Sequence, residues 1–137
     1  MRMVRSIPAL PVSNIARSNA FYRDVLGFNL VHTEDGFSSL RRDGAEIHIW
    51  AASDQDWHSR MPGSPPVVSG AESFLAGTAS CRIEVQGVDE LHTSFRPLGI
   101  LHGKGQLDDT WYGTREFAVV DLDNNLITFF EDRSANS

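Results

Sequence analysis

The sequence predicts an α+β fold: two tandem βαβββ modules whose strands form a curved mixed sheet around a cleft. Three observations predict it. The stretch Arg115–Glu131, REFAVVDLDNNLITFFE, reads as strand, tight turn, strand. Ser39–Trp50 echoes it, with Ile47, His48, Ile49 and Trp50 falling on Ile127, Thr128, Phe129 and Phe130, and Asp43-Gly44 on Asp123-Asn124. Pro11–Ile15 is echoed in the same order by Glu84–Val88. Two echoes in one order indicate a duplicated unit.

Each element follows from local chemistry. Met3–Val12 is apolar and carries Pro8 and Pro11, which cannot donate to a ladder, so it is expected as an edge strand. Ser13 or Asn14 is a ready N-cap, and Ile15, Tyr22, Val25 and Leu26 recur at helical spacing up to Gly27. Three short strands follow at 28–33, 36–42 and 45–51, separated by turn residues. Segment 52–77 holds Pro62, Gly63, Pro65, Pro66 and Gly70 and is expected as a long loop, a kind of connection that is often functional. The pattern then restarts from about residue 78 and runs to 132. Ala79–Val85 is a strand, Val88, Leu91, Phe95 and Leu98 make a helix face ending at Gly99, and a weakly defined strand lies near Leu101. Two strands around the Asp121–Asn125 turn complete the module.

At 137 residues, with 41% hydrophobic and 22% charged residues, the chain has globular rather than disordered composition. Its net charge of −6 argues against a nucleic-acid partner, which would require a basic face; it is compatible with a cationic ligand and equally with a charge that serves solubility alone. No apolar run reaches the ~20 residues of a membrane span, and the N-terminal segment lacks a signal-peptide core. The single Cys81 rules out an internal disulfide, so a cytoplasmic location is expected. Asp121-x-Asp123-x-Asn125 opens like a calcium loop, yet Leu126 stands where that loop needs glycine.

Strand alternation assigns faces. Ile47 and Ile49 suit the helix-covered side, which sends Glu46, His48 and Trp50 to the cleft. Cys81, Ile83 and Val85 likewise leave Ser80, Arg82 and Glu84 for the cleft, with Arg82 and Glu84 expected to pair along their strand and Cys81 to be a buried, unreactive thiol.

With FYRDVLGF after the first strand and REFAVVDLDNNLITFFE at the end, the chain resembles the vicinal oxygen chelate superfamily of glyoxalases, extradiol dioxygenases and bleomycin resistance proteins. Within it, IPALPVSNI, TASCRIEVQGVDEL and WYGTREFAVVDLDNN are similar to the bleomycin resistance proteins. The enzyme members hold a divalent metal on the first and last strands of each module. Carried over, those positions are Ile7, His48, Ser80 and Thr128, of which only His48 is a competent ligand. The resemblance therefore implies a non-catalytic protein with no metal and no cofactor, which sequesters a flat, cationic drug of the bleomycin type. It also implies a homodimer that exchanges its first strand. The alternative is a metal-dependent lyase, dioxygenase or transferase with a displaced ligand set, for which Glu46, His58 and His102 are the available donors.

For a flat ligand the aromatic candidates are Phe37, Trp50, Trp57, Phe74 and Trp111. Core filling accounts for Phe37 and Phe74 equally well. Trp57 and Trp111 lie in polar, turn-rich segments beside Asp54, Asp56, Asp108 and Asp109, so these acids, Asp56 and Asp109 among them, are candidates for a cationic arm or simply a solvated acidic loop. His48 and Arg82 complete the set as polar cleft residues, His48 alternatively being satisfied by Glu46 or Arg82.

Overall fold

Asn14 starts the first module's helix as its sequence suggests: its side chain accepts a hydrogen bond from Arg17 N at 2.9 Å, satisfying one of the orphan amides of the first turn. The computed structural model describes residues 1–52, 76–77 and 79–133. In chain order the elements are β1 (Ala9–Val12), α1 (Ile15–Asp24), β2 (Asn29–Glu34), β3 (Phe37–Arg42), β4 (Ala45–Ala51), β5 (Ser80–Glu84), α2 (Val88–Phe95) with a short 3-10 turn over Arg96–Leu98, β6 (Asp108–Asp109), β7 (Thr114–Val120) and β8 (Leu126–Asp132). They fall into two units, Met1–Ala79 and Ser80–Ser137.

Each unit carries a four-stranded sheet, in the orders β1-β4-β3-β2 and β5-β8-β7-β6. The first strand of each module runs parallel to its last, and the other pairs are antiparallel. Leu10 pairs with Ile49 as Ile83 pairs with Phe129, and Ala9 with His48 as Arg82 with Thr128. The duplication read from the sequence is thus a duplication of register.

In the first unit Leu10, Val12, Leu40, Ile47 and Ile49 bury one sheet face with Tyr22, Leu26 and Phe28. In the second, Phe95 of α2 meets Phe117 and Phe129 at ring-centroid distances of 6.2 and 5.6 Å, and Val88, Val119 and Ile127 are buried with them. Rings set edge-on or offset at this spacing contribute beyond their buried area. Glu131 tethers α2 from below. Its carboxylate accepts from Gly87 N at 3.2 Å and Val88 N at 3.0 Å, capping a helix that begins on a glycine at φ 92° and has no side-chain cap from that residue.

Two segments differ from the sequence reading. Among the described residues the expected strand 3–12 pairs over Ala9–Val12; Pro8, just before it, has no N–H to extend the ladder and contributes only its carbonyl, which accepts from His48 N at 2.9 Å. The weak strand near Leu101 is a single bridge to Val119, followed by the two-residue β6. Between them Gly105 lies flat on β7, where a Cβ would come within 2.5 Å of Ala118 Cβ. This close approach interrupts regular pairing and admits only glycine.

The Asp121–Asn125 segment is a self-contained turn. Asp121 Oδ1 accepts from Asp123 N and Asn125 N at 2.9 and 2.8 Å, and Oδ2 from Asn125 Nδ2 at 2.9 Å, while Asn124 takes φ 69°. The acid that opens like a calcium ligand is consumed in holding its own loop, as Asx turns do.

Candidate functional site

The sheet face away from the helix carries four of the candidate residues, Phe37, His48, Trp50 and Arg82. In the first unit, Phe37, Ser39 and Arg41 of β3 stand in register with Trp50, His48 and Glu46 of β4. The rings of Phe37 and His48 meet edge to face at 5.0 Å, and His32 of β2 lies 6.3 Å from Phe37 on the other side. Phe37, His48 and Trp50 are therefore brought together as one aromatic ledge. The indole Nε1 of Trp50 is buried and has no hydrogen-bond acceptor among the described residues.

The polar end of the ledge is organised by Glu46, whose side chain is only 9% exposed. It accepts from Arg41 Nη2 at 2.6 Å and lies 3.1 Å from His48 Nε2, with Arg5 Nη1 3.7 Å away. Arg41 foremost, then His48 and Arg5, hold the carboxyl below its ordinary range. His48 is thus satisfied by Glu46, one of the two partners the sequence offers.

In the second unit the same face presents Arg82, Thr128, Phe130, Glu116 and Thr114. Arg82 does not pair with Glu84 as expected. It reaches across β8 to Glu116 of β7, with Nη2–Oε2 at 2.7 Å, and its guanidinium carbon sits 4.6 Å from the centroid of Phe130. Strands lie ~4.8 Å apart, so a guanidinium must cross about twice that to meet β7, and the Phe130 ring supports it on the way. Glu116 also accepts from Tyr112 Oη and Thr114 Oγ1, both at 2.9 Å. Arg82 first, then these hydroxyls, hold the Glu116 carboxyl below its ordinary range, and Glu116 in turn holds the Arg82 guanidinium above its own. Sequence reasoning missed Glu116, Tyr112 and Phe130. The alternation along Thr114–Val120 and the hairpin register set by the Asp121 turn are the signals that place them.

Trp111 is 94% exposed and leans edge-on against Tyr112 at 5.3 Å. The loop carrying both is fixed at its base, where Thr110 N donates to Thr114 O at 2.7 Å and the two threonine hydroxyls lie 2.7 Å apart. Asp109 turns to the helix side of the sheet, where Arg115 Nη1 sits 3.2 Å away and Arg115 also grips Asp89 of α2. Its neighbour Asp108, in register with Glu116, shares the helix-distal face instead. Trp57, Asp56 and Phe74 lie outside the described residues, as do Asp54 and His58.

The four strand positions that carry the metal in the enzyme members do not suit one here. Ile7 offers no donor, Ser80 and Thr128 offer neutral hydroxyls, and the one imidazole, His48, is committed to Glu46. His102 is likewise used locally, its Nδ1 accepting from Lys104 N at 3.1 Å. Cys81 faces the helix side, where burial above all, and then the charge of Asp121, push its thiol up to about 11, the opposite of an activated nucleophile.

Residues 6–129 match the model of the Glyoxalase/Bleomycin resistance protein/Dioxygenase superfamily. The chain belongs to this superfamily. Its sequence is 59% identical over 129 residues to the bleomycin resistance protein of Geobacillus stearothermophilus, covering 94% of this chain and 97% of that one. By structure it resembles the bleomycin-binding protein of bleomycin-producing Streptomyces verticillus complexed with copper(II)-bleomycin, at TM-score 0.68 and 21% identity over 94% of this chain and 96% of that one. It resembles a lactoylglutathione lyase from Agrobacterium tumefaciens equally well, at TM-score 0.70 and 18% identity over 96% and 95% of the two chains. The superfamily fold therefore hosts both binders and enzymes, and fold alone does not choose between them. Among the described residues no helix is long and apolar enough to cross a membrane.

Proposed function

We propose that the chain is a non-catalytic binding protein that confers resistance by sequestering bleomycin-type glycopeptides. The observation that carries this reading is the 59% identity to a bleomycin resistance protein over nearly the full length of both chains. The chemistry of the helix-distal faces supports it. Their side chains offer stacking surfaces and paired charges, while the strand positions used for metal in the enzymes hold Ile7, Ser80, His48 and Thr128. In this reading Trp111, Phe37 and Trp50 supply flat apolar contact to the drug's aromatic rings, and Trp57 and Phe74 add to it. Asp56 belongs to the acidic surroundings of the cationic portion, Asp109 being engaged with Arg115 on the helix side instead, and His48 and Arg82 are polar neighbours of the bound molecule. Binding excludes the drug from its target by mass action, so protection requires stoichiometric protein and no turnover.

The working form in this proposal is a cytoplasmic homodimer, its two copies exchanging the N-terminal strand, with modules 1–51 and 78–132 joined by loop 52–77. The experiment is a plasmid-nicking assay with iron-loaded bleomycin and increasing protein. Protection that saturates at one binding-site equivalent per drug supports sequestration. Protection at substoichiometric protein, growing with incubation time, points to catalysis and rejects the proposal.

A further inference from the structure

Phe130, Glu116, Tyr112 and Thr114 together form the kind of receptor that chemistry builds for an organic cation. An aromatic face lies on one side, a carboxylate on the other, and two hydroxyls orient that carboxylate. A cation already occupies it: the guanidinium of Arg82, 4.6 Å from the Phe130 centroid and 2.7 Å from Glu116 Oε2, with a longer 3.4 Å contact from Nη1 to Oε1. Arg82 projects from β5, which among the described residues pairs with β8 alone, and its side chain is 46% exposed, whereas that of Glu116 is 17% exposed. The receptor is thus more enclosed than its occupant. Glu116 keeps both hydroxyl donors when the guanidinium leaves, so the carboxylate stays in position and hydrogen-bonded.

We propose that this is a ligand-binding subsite for a guanidinium or primary ammonium group, self-occupied by Arg82 in the free protein. An incoming cationic arm takes the place of Arg82 on Phe130 and Glu116, and the displaced guanidinium swings to solvent, which its exposure permits. Nothing covalent changes; one cation is exchanged for another on the same carboxylate. Trp111 and Tyr112 stand at the same edge, since Tyr112 itself donates to Glu116, so a ligand stacked on them brings its charged arm within reach. The inference rests on the proposed binding of a cationic ligand in one respect only, the identity of the arm.

The test is ligand titration of wild type, Arg82→Ala, Arg82→Gln and the double variant Arg82→Ala/Glu116→Gln. Agmatine serves as a minimal cation, read by NMR shifts of the Tyr112 and Phe130 rings, and bleomycin is titrated in parallel by calorimetry. Removing the tethered competitor should tighten agmatine about tenfold, the factor expected from deleting one partly exposed ion pair and its cation–π contact. Adding Glu116→Gln should abolish the saturable shift. Agmatine binding that is unchanged or weaker in both Arg82 variants, or that survives Glu116→Gln, overturns the proposal. The two probes separate the claims. Agmatine following this pattern while bleomycin binds no variant leaves the cation subsite standing and removes the drug. Bleomycin binding tightly to wild type but less tightly to both Arg82 variants makes Arg82 a direct ligand contact and removes self-occupancy.

Discussion

Trp111 separates binding from stability more sharply than any other candidate among the described residues. At 94% exposure its indole buries almost no surface in the free protein, so Trp111→Ala removes no core contact and opens no cavity. Its ring neighbour among the described residues, Tyr112, is anchored independently through its hydroxyl to Glu116. The melting temperature should therefore stay within the ±0.5 kcal/mol equivalent typical of surface substitutions. Ligand affinity should respond quite differently. An aromatic pair contributes about 0.5–1.5 kcal/mol beyond area burial. At ~1.4 kcal/mol per tenfold, loss of that pair weakens binding by roughly two- to twelve-fold, before any contribution from lost apolar area. Calorimetric titration with bleomycin, paired with thermal melts of the same samples, measures both quantities. An unchanged Kd would refute a stacking role for Trp111. A melting temperature lowered by several degrees would refute the premise that the ring is free of the core.

Other perturbations test the fold that positions these groups. Asp121→Ala strips three hydrogen-bond donors, two of them backbone, of a buried acceptor and should cost about 2–4 kcal/mol in urea unfolding; a loss below 0.5 kcal/mol would contradict the turn assignment. Gly105→Ala drives a methyl to within 2.5 Å of Ala118 Cβ and should cost about 1–3 kcal/mol by the same measurement, whereas a neutral change would show that the loop relaxes freely. The Glu46 and Glu116 carboxyls are held below their ordinary value of 4.5, chiefly by Arg41 and Arg82 respectively. Groups depressed in the folded state add stability that is complete above the unfolded value and lost as pH falls through the folded one. Stability should thus be flat through neutral pH and decline below about pH 4.5. Glu46→Gln should make that decline shallower, and an acid limb identical to wild type would remove Glu46 from the explanation.

Much of the architecture is legible in the sequence because a few chemical signals are local and strong. The Asn14 cap, the Gly99 stop at φ 70° and the apolar alternation of β4 and β8 each act within a few residues. The shared register of β1 with β4 and of β5 with β8 follows from repeated pattern, so it too can be read off. What escapes depends on partners distant in sequence. Nothing near Gly105 announces the approach of Ala118. Among the site residues, strand alternation sends His48 and Trp50 to one face of β4, whereas Phe37 joins them through the register of β3 against β4, which alternation along a single strand does not give. Arg82 is harder. Its choice of Glu116 over Glu84 depends on the length of an arginine side chain laid across an intervening strand, and on an aromatic ring in its path. Asp108 and Asp109 differ only by parity, in a strand two residues long that the sequence barely marks.

The most direct measurement mixes purified protein with bleomycin, determines stoichiometry and Kd by calorimetry, and then recovers the drug for mass spectrometry. A saturable complex whose drug returns with unaltered mass and full DNA-cleaving activity is the expected result. Absence of binding at high micromolar concentration, or recovery of a chemically altered drug, would contradict a protein that protects by holding its ligand.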